Sequence, residues 1–387
     1  MKRLTSAELR MRIAVPVMAA ALGISAFASK EHIPYILGIT SKASAALLYG
    51  DYADYAYTVQ ADAVSEETDK PHIYSYDTYA VDDSEMISHG ALGIPSAANE
   101  ELTVTEPEAI PDEYSDEYTE KSGIITDNFY GVYSGDEYVT LKSGGQIRNL
   151  TSLDNSEIYS LSEQSPQIEI TFGGEPQVLI MHTHTTECYE PYETGYYDEN
   201  RSTRTTDAEN NMTLIGTMIS NELAKKGIGV IHDTTVHDYP SYNGSYDRSR
   251  ETVKNILEKY PSVKIVLDIH RDAIEREGER IAPVAEIDGK KAAQIMIICG
   301  CDDGTMDMPD YTENLKLACF MQSGFERDYP DLARPVLFDY RHYNQDLTTG
   351  SLLIEVGGHA NTLEQAEYSG TLIGKSLANT LSELKGE

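Results

Sequence analysis

From about residue 175 onward, short apolar runs alternate with longer stretches in which apolar residues recur every three to four positions. Apolar runs of this length, bounded by turn formers, predict buried strands. They fall at 178–182, 229–232, 263–269, 293–299, 336–338 and 352–356. Between the first two, Met212, Ile215, Ile219 and Leu223 carry helical spacing, with Asp207 as the expected N-cap and Lys225, Lys226 and Gly227 as a fitting C-terminal end. Further helices are expected at about 247–260, 311–327 and 363–384. This alternation predicts an α/β layer fold: a central, mainly parallel twisted sheet of about six strands flanked by helices. Chemistry on such sheets collects beyond the C-terminal ends of the strands.

Upstream the pattern is different. Residues 51–140 hold 22 Asp and Glu against only Lys70 and Lys121, and no helical or strand period lasts there. Such a segment buries too little apolar surface to offset its ordering entropy, so an extended, self-repelling linker is expected. Short β-like pieces (YVTLK, QIRNL, QIEITF) follow it. The chain therefore divides into an N-terminal segment at 1–30, an acidic, tyrosine-rich linker expected to stay disordered at 31–123, a β-like lead-in at 124–174, and a main domain at 175–387.

The N-terminal segment places Lys2, Arg3, Arg10 and Arg12 before an uncharged run at 13–29. About 17 residues is the lower limit for crossing a bilayer, and the basic flank predicts that everything after Lys30 lies outside the cytoplasm. The AFAS stretch at 26–29 also resembles a signal-peptidase site, so a retained single-pass anchor and secretion after cleavage near Ala28 both stand. A formal charge of −34 excludes charge-driven binding of nucleic acid or an anionic membrane surface. Four cysteines are too few for a disulfide scaffold, and Cys299 and Cys301 read as core thiols.

Three strand ends carry ionisable residues: His182, His184 and Glu187 in LIMHTHTTE; Asp268, His270 and Asp272 in VLDIHRDA; Glu355 and His359 in LLIEVGGHA. Parallel strands ending on one edge would gather these groups. Two neutral imidazoles and a carboxylate, with one position open to water, make a catalytic zinc set, and a further carboxylate beside that water serves as base. Arg248 and Arg250 read as helix-start or surface pairing, His232 and His237 as structural, and Arg341 and Asn344 as candidates to line a groove.

The stretches PQVLIMHTHTTECY, the long run from NNMTLIG to SYDRSR, VLDIHRDA and YNQDLTTGSLLIEVGGHANT together resemble the stage II sporulation protein P family, a divergent branch of the zinc-dependent N-acetylmuramoyl-L-alanine amidases. The likeness covers roughly residues 145–387. It implies an amidase-like fold, Zn²⁺ as cofactor and His184, Glu209 and His270 as its ligands, with Glu355 as the catalytic base. It departs from the wider amidases in two places. His-Thr-His replaces Gly-His-Gly, which makes His182 a substitute ligand or a neighbour that orients ligand or substrate. Asp272 stands where asparagine is common, and Glu187 competes with Glu209 as the carboxylate ligand.

The implied function is hydrolysis of the amide between N-acetylmuramic acid and L-alanine of peptidoglycan stem peptides. Cleavage of stem cross-links is an added activity, and the setting is septal peptidoglycan degradation and engulfment during sporulation. The implied partners are sporulation proteins D and M in a membrane complex. The alternatives are a catalytically silent peptidoglycan-binding or scaffold protein, and a different zinc hydrolase of the cell wall.

Overall fold

The strands form where alternate residues find two separate cores. In strand β5, Val178 and Ile180 enter one apolar cluster while Leu179 and Met181 enter another. A strand buried on both faces belongs inside a parallel sheet with layers on either side. The computed structural model describes residues 73–76 and 115–386, apart from residue 277. In chain order its first elements are β1 (Ile73–Tyr76), β2 (Gly123–Asn128), β3 (Tyr138–Thr140), β4 (Gln146–Asn149) and helix α1 (Asn155–Ser162), which precede β5 (Val178–Met181). There follow β6 (Tyr196–Tyr197), α2 (Met212–Lys225), β7 (Val230–Asp233), α3 (Ser245–Lys259) and β8 (Ile265–Asp272). The inserted strands β9 (Glu275–Arg276), β10 (Glu279–Ile287) and β11 (Lys290–Ala293) lead into β12 (Ile295–Gly300). Helix α4 (Tyr311–Asp328), β13 (Val336–Asp339), β14 (Ser351–Gly358) and α5 (Leu363–Ser382) complete the order.

Nine strands form the main sheet in the order β1-β7-β5-β8-β14-β12-β13-β4-β3. All six runs expected as strands lie in it, and β1, β3 and β4 extend its two edges. Pairing is parallel from β1 through β14, reverses between β14 and β12, and reverses again between β4 and β3. Helices α1, α2, α4 and α5 supply Ile158, Ile215, Leu315 and Leu377 to the core on one face. On the other face α3 supplies Val253 and Ile256 over β5, β7 and β8, while only a small cluster of Ile298, Leu337 and Leu353 covers β12 to β14. That second face is where a site has room.

Local signals explain most boundaries. Met212, Ile215, Ile219 and Leu223 all turn inward, as their spacing requires. The N-cap of α2 is Asn211, whose side chain accepts from the Thr213 N–H, and not Asp207. A second sheet of five strands (β11-β10-β2-β6, with β9 on β10) was not expected from the apolar pattern. It had a signal: Asp288 and Gly289 take φ of 51° and 75°, the Asp-Gly hairpin turn between β10 and β11.

The acidic linker is shorter than 31–123. Thr119 N–H and Oγ1 donate to Asp198 Oδ2 at 2.6 and 2.7 Å, and Tyr118 OH donates to Glu190 Oε2 at 2.6 Å, so this end is fastened to the domain. Ile73–Tyr76, also inside that stretch, pairs with β7 as strand β1. The rest of the linker and the apolar run at 13–29 lie outside the described residues. Among the described residues no helix is long and apolar enough to cross a membrane.

One position tests the packing of α2 on the sheet. A Cβ on Gly216 would stand within 2.5 Å of His182 Nε2 and closer still to His232, both buried and unable to withdraw. Gly216→Ala should therefore lower stability by about 1–3 kcal/mol, read from chemical or thermal unfolding.

Candidate active site

The alternation of β8 decides which of its residues meet. Ile265, Leu267 and Ile269 point into the core under α2, so Asp268 and His270 project from the opposite face. Strand β14 runs parallel beside it, with Glu355 directly opposite His270. On the other side Met181, the last residue of β5, lies opposite Asp268. Just past it, Thr183 N–H and Oγ1 donate to Asp268 at 2.8 and 2.7 Å. With Thr183 held there, His184 comes onto the Asp268 face.

His184 is 7% exposed and stacks on Tyr242, with centroids 4.5 Å apart and planes 11° from parallel. It meets His270 edge to face at 5.2 Å. The turn after it brings in Glu187, whose N–H donates to the His184 carbonyl at 3.3 Å. Glu187 Oε2 lies 3.7 Å from His270 Nδ1 and accepts the Arg271 N–H at 3.2 Å, while Arg204 pairs with Oε1 at 3.4 Å. Tyr246, on α3, lies parallel to the His270 ring at 6.4 Å and stacks on Tyr343 at 5.3 Å. Tyr343 and Asn344 take positive φ of 44° and 56°, a strained pair that sets this phenol over the site.

The charges follow from these contacts. Burial, aided by the neighbouring His270 and Arg204 charges, holds His184 well below the usual histidine range, so it is a neutral imidazole with a lone pair to give. Burial also works against a charged His270, but Asp268, then Glu187 and Glu355, outweigh it and raise its pKa to about 9. Its Nε2 lies 2.8 Å from Asp268 Oδ1, off the direction of a hydrogen bond, so the contact is an ion pair. Burial and the nearby Asp272 raise Glu355 to about 8. The residue is of intermediate exposure, yet its Oε2 is enclosed with no hydrogen-bond partner in the protein.

The structure thus brings His184, His270 and Glu355 together and adds Glu187 to them. It leaves Glu209 out: that side chain is exposed in the turn before α2, its backbone held to Asp207. The helix-opening glutamate is a ligand only where the turn aims it at the sheet edge, and here the turn points it to solvent. His182 also lies elsewhere. It follows the parity of Val178 and Ile180, so its ring is on the α2 side, with Nδ1 against the Ile269 carbonyl and Nε2 against His232, both at 3.0 Å. Asp272 sits at the rim, paired with Arg334 at 3.0 Å. Arg341 is tied to Asp339 and to the Tyr343 hydroxyl, which links it to the phenol over the site.

Arg250 pairs with Asp346, and Arg248 caps backbone carbonyls of the preceding loop. His232 and His237 are buried structural residues, as expected. All four cysteines are buried and free. Tyr242, Tyr246 and Tyr343 were missed as members of the site, and Asp268, gathered with the strand-end groups, was given no role. The period-two pattern of β8 was the available signal for Asp268, and nothing local marks the tyrosines.

Among the described residues no three His, Cys, Asp or Glu side chains stand in a cage ready to hold a metal ion. The chemistry of the donor set nevertheless fits one. His184 and His270 meet edge to face at 5.2 Å and Glu187 Oε2 lies 3.7 Å from His270 Nδ1, so two imidazoles and a carboxylate stand together as a zinc set requires.

A family model described as stage II sporulation protein P (SpoIIP) matches residues 99–378. The stage II sporulation protein P of Bacillus subtilis (strain 168) is 31% identical over 230 residues, 57% of this chain and 54% of the relative, so the match spans about half of that protein. Among solved structures, the N-acetylmuramoyl-L-alanine amidase AmiC2 of Nostoc punctiforme superposes with a TM-score of 0.33 at 10% identity, covering 54% of this chain and 98% of its own. The CwlD amidase of Clostridioides difficile, in complex with the GerS lipoprotein, gives 0.33 at 15% identity, covering 54% and 99%. A metallo-carboxypeptidase of Burkholderia cenocepacia gives 0.33 at 10% identity, covering 61% and 70%.

The two histidines of the His-Thr-His motif should separate by experiment. His182→Ala removes a buried hydrogen bond to β8 and a contact to β7, so it should destabilise the fold by about 1–3 kcal/mol. His184→Ala removes a ring that stacks on Tyr242 and makes only a long hydrogen bond, to the Ser245 hydroxyl, so it should cost less stability, read from the same unfolding curves.

Proposed function

The chain belongs to the stage II sporulation protein P family, and from that membership and the site's geometry we propose that it is a zinc-dependent peptidoglycan hydrolase of sporulation. The bond it cleaves is the amide between N-acetylmuramic acid and the L-alanine of the stem peptide. One observation carries this reading: His184, Glu187 and His270 converge on one face of the sheet, with Glu355 opposite His270 across β8 and β14.

His184, Glu187 and His270 are the residues that would hold the metal. When bound, zinc supplies a Lewis acid that polarises a carbonyl and makes water a nucleophile near neutral pH. The protein does the rest. His184 offers its lone pair without first losing a proton. Asp268 fixes the orientation of His270 from behind. Glu355 lies opposite His270 with an Oε2 that no protein group bonds, so one carboxyl can take the proton from water and return it to the leaving amine. Tyr242 and Tyr246 wall the imidazoles against bulk water, which strengthens every charge interaction inside.

The proposal extends to the setting. The run at 13–29 anchors the chain with its catalytic domain outside the cytoplasm, and sporulation proteins D and M are its partners at the membrane. The basic flank and apolar length of that run support the first point, and the resemblance to the family implies the second.

The full chain in detergent, incubated with purified peptidoglycan, should release stem peptides beginning with a free L-alanine amine, identified by mass, and a chelator should stop it. Release of a different fragment, or none, overturns the assigned bond. The roles separate by mutation. His184→Ala, His270→Ala and Glu187→Ala should lose metal and activity together, whereas Glu209→Ala should keep both. Glu355→Gln should keep the metal while turnover falls by about 10²–10⁴-fold.

A further inference from the structure

A buried guanidinium is costly unless its donors are used. Arg334, just ahead of β13, is 5% exposed, and it uses only part of its fork. Its Nη1 donates to Asp272 Oδ2 at 3.0 Å, and Tyr130 lies against the group with its ring centroid 5.7 Å away. Its Nε and Nη2 are buried with no hydrogen-bond partner in the protein. These two atoms form the side-on edge of the guanidinium, whose parallel N–H groups match the two oxygens of a carboxylate. A lone carbonyl would satisfy one of them; a carboxylate satisfies both.

The topology sets this edge beside the catalytic groups. Because β12 runs antiparallel to β14, and β13 parallel to β12, both strands start on the edge where β8 and β14 end. The Arg334 N–H bonds the Ile295 carbonyl, which seats the residue at that start. Its partner Asp272 stands two residues beyond His270, roughly 7 Å further along the strand. Arg334 and Asp272 both act on the charge of Glu355. Asp272 neutralises the arginine and holds it in place, leaving its free edge for a ligand.

We propose that Arg334 is a substrate-binding residue whose Nε–Nη2 edge takes a free carboxylate of the stem peptide next to the scissile amide. This makes the enzyme selective for stems whose carboxylate is not amidated. The proposal rests on the reading of the site as a stem-peptide amidase.

The test uses the zinc-loaded full chain and two muramoyl peptides that differ only in whether the peptide carboxylates are free or converted to amides. The wild type should favour the free form by on the order of 10–100-fold in kcat/KM, the worth of a charge-assisted pair. Arg334→Gln should bring that ratio near one, chiefly through KM, with zinc content unchanged. Arg334→Lys, which keeps the charge and loses the two-pronged edge, should fall between. Equal rates on both peptides with wild type overturn the proposal and leave the amidase reading standing, a comparison that needs no variant to fold. If neither peptide is cleaved, calorimetric binding of the same pair decides. Tighter binding of the free form that Arg334→Gln abolishes upholds the carboxylate site while the amidase reading falls. No preference in binding overturns both.

Discussion

One buried carboxylate holds this site together. Asp268 accepts two hydrogen bonds from Thr183 and lies 2.8 Å from His270 Nε2, so it joins the exit of β5 to the middle of β8. A carboxylate stripped of water is tolerable only when such partners replace it, and hydrogen bonds to a charged group are worth about 1.5–3 kcal/mol each. The consequence is positional. With Thr183 tied to the front face, His182 falls behind the sheet against α2 and His184 comes forward to meet His270. The same charge holds the orientation of His270 and keeps its pKa high.

The layers explain why chemistry settles on this face. Four helices close the other side of the sheet, while α3 covers only the β5, β7 and β8 half of the front. Where β14 meets the antiparallel β12, the helical cover gives way to the loop carrying Tyr343, with its two left-handed residues. The ends of β8 and β14 and the starts of β12 and β13 therefore share one rim. Along it stand an imidazole pair, a carboxyl with raised pKa, and an arginine with part of its fork unused. Such a row suits a substrate that presents a carbonyl to be attacked and a negative charge to be gripped.

Tyrosine does the work of lining. Tyr242 stacks on His184, Tyr246 lies parallel to His270, and Tyr343 stacks on Tyr246, in a chain without tryptophan. Burial holds the Tyr246 hydroxyl protonated well beyond the usual range, with the Asp268 charge adding to it, so this wall stays neutral. A neutral aromatic wall shields the charged groups from water without competing for their protons.

The sequence by itself determined the layered α/β fold, because strand and helix periodicities are local consequences of burying one face or two. It also put His184, His270 and Glu355 among eight ionisable residues at its strand ends, since strands of one parallel stretch must end on one edge; the family resemblance then singled them out. The alternation of β5 and β8 even held the answer for His182 and Asp268, as period two assigns each residue to a face before any contact is known. The second sheet was legible only in its Asp-Gly turn. What only the tertiary structure decided is which loop side chains turn inward. Glu187 enters and Glu209 does not because the turn after His184 is set by a carboxylate on another strand, some 85 residues away. Arg334 joins the same rim through the reversal between β14 and β12. No local pattern encodes such directions: they follow from pairings between distant segments, which exist only once the sheet has formed.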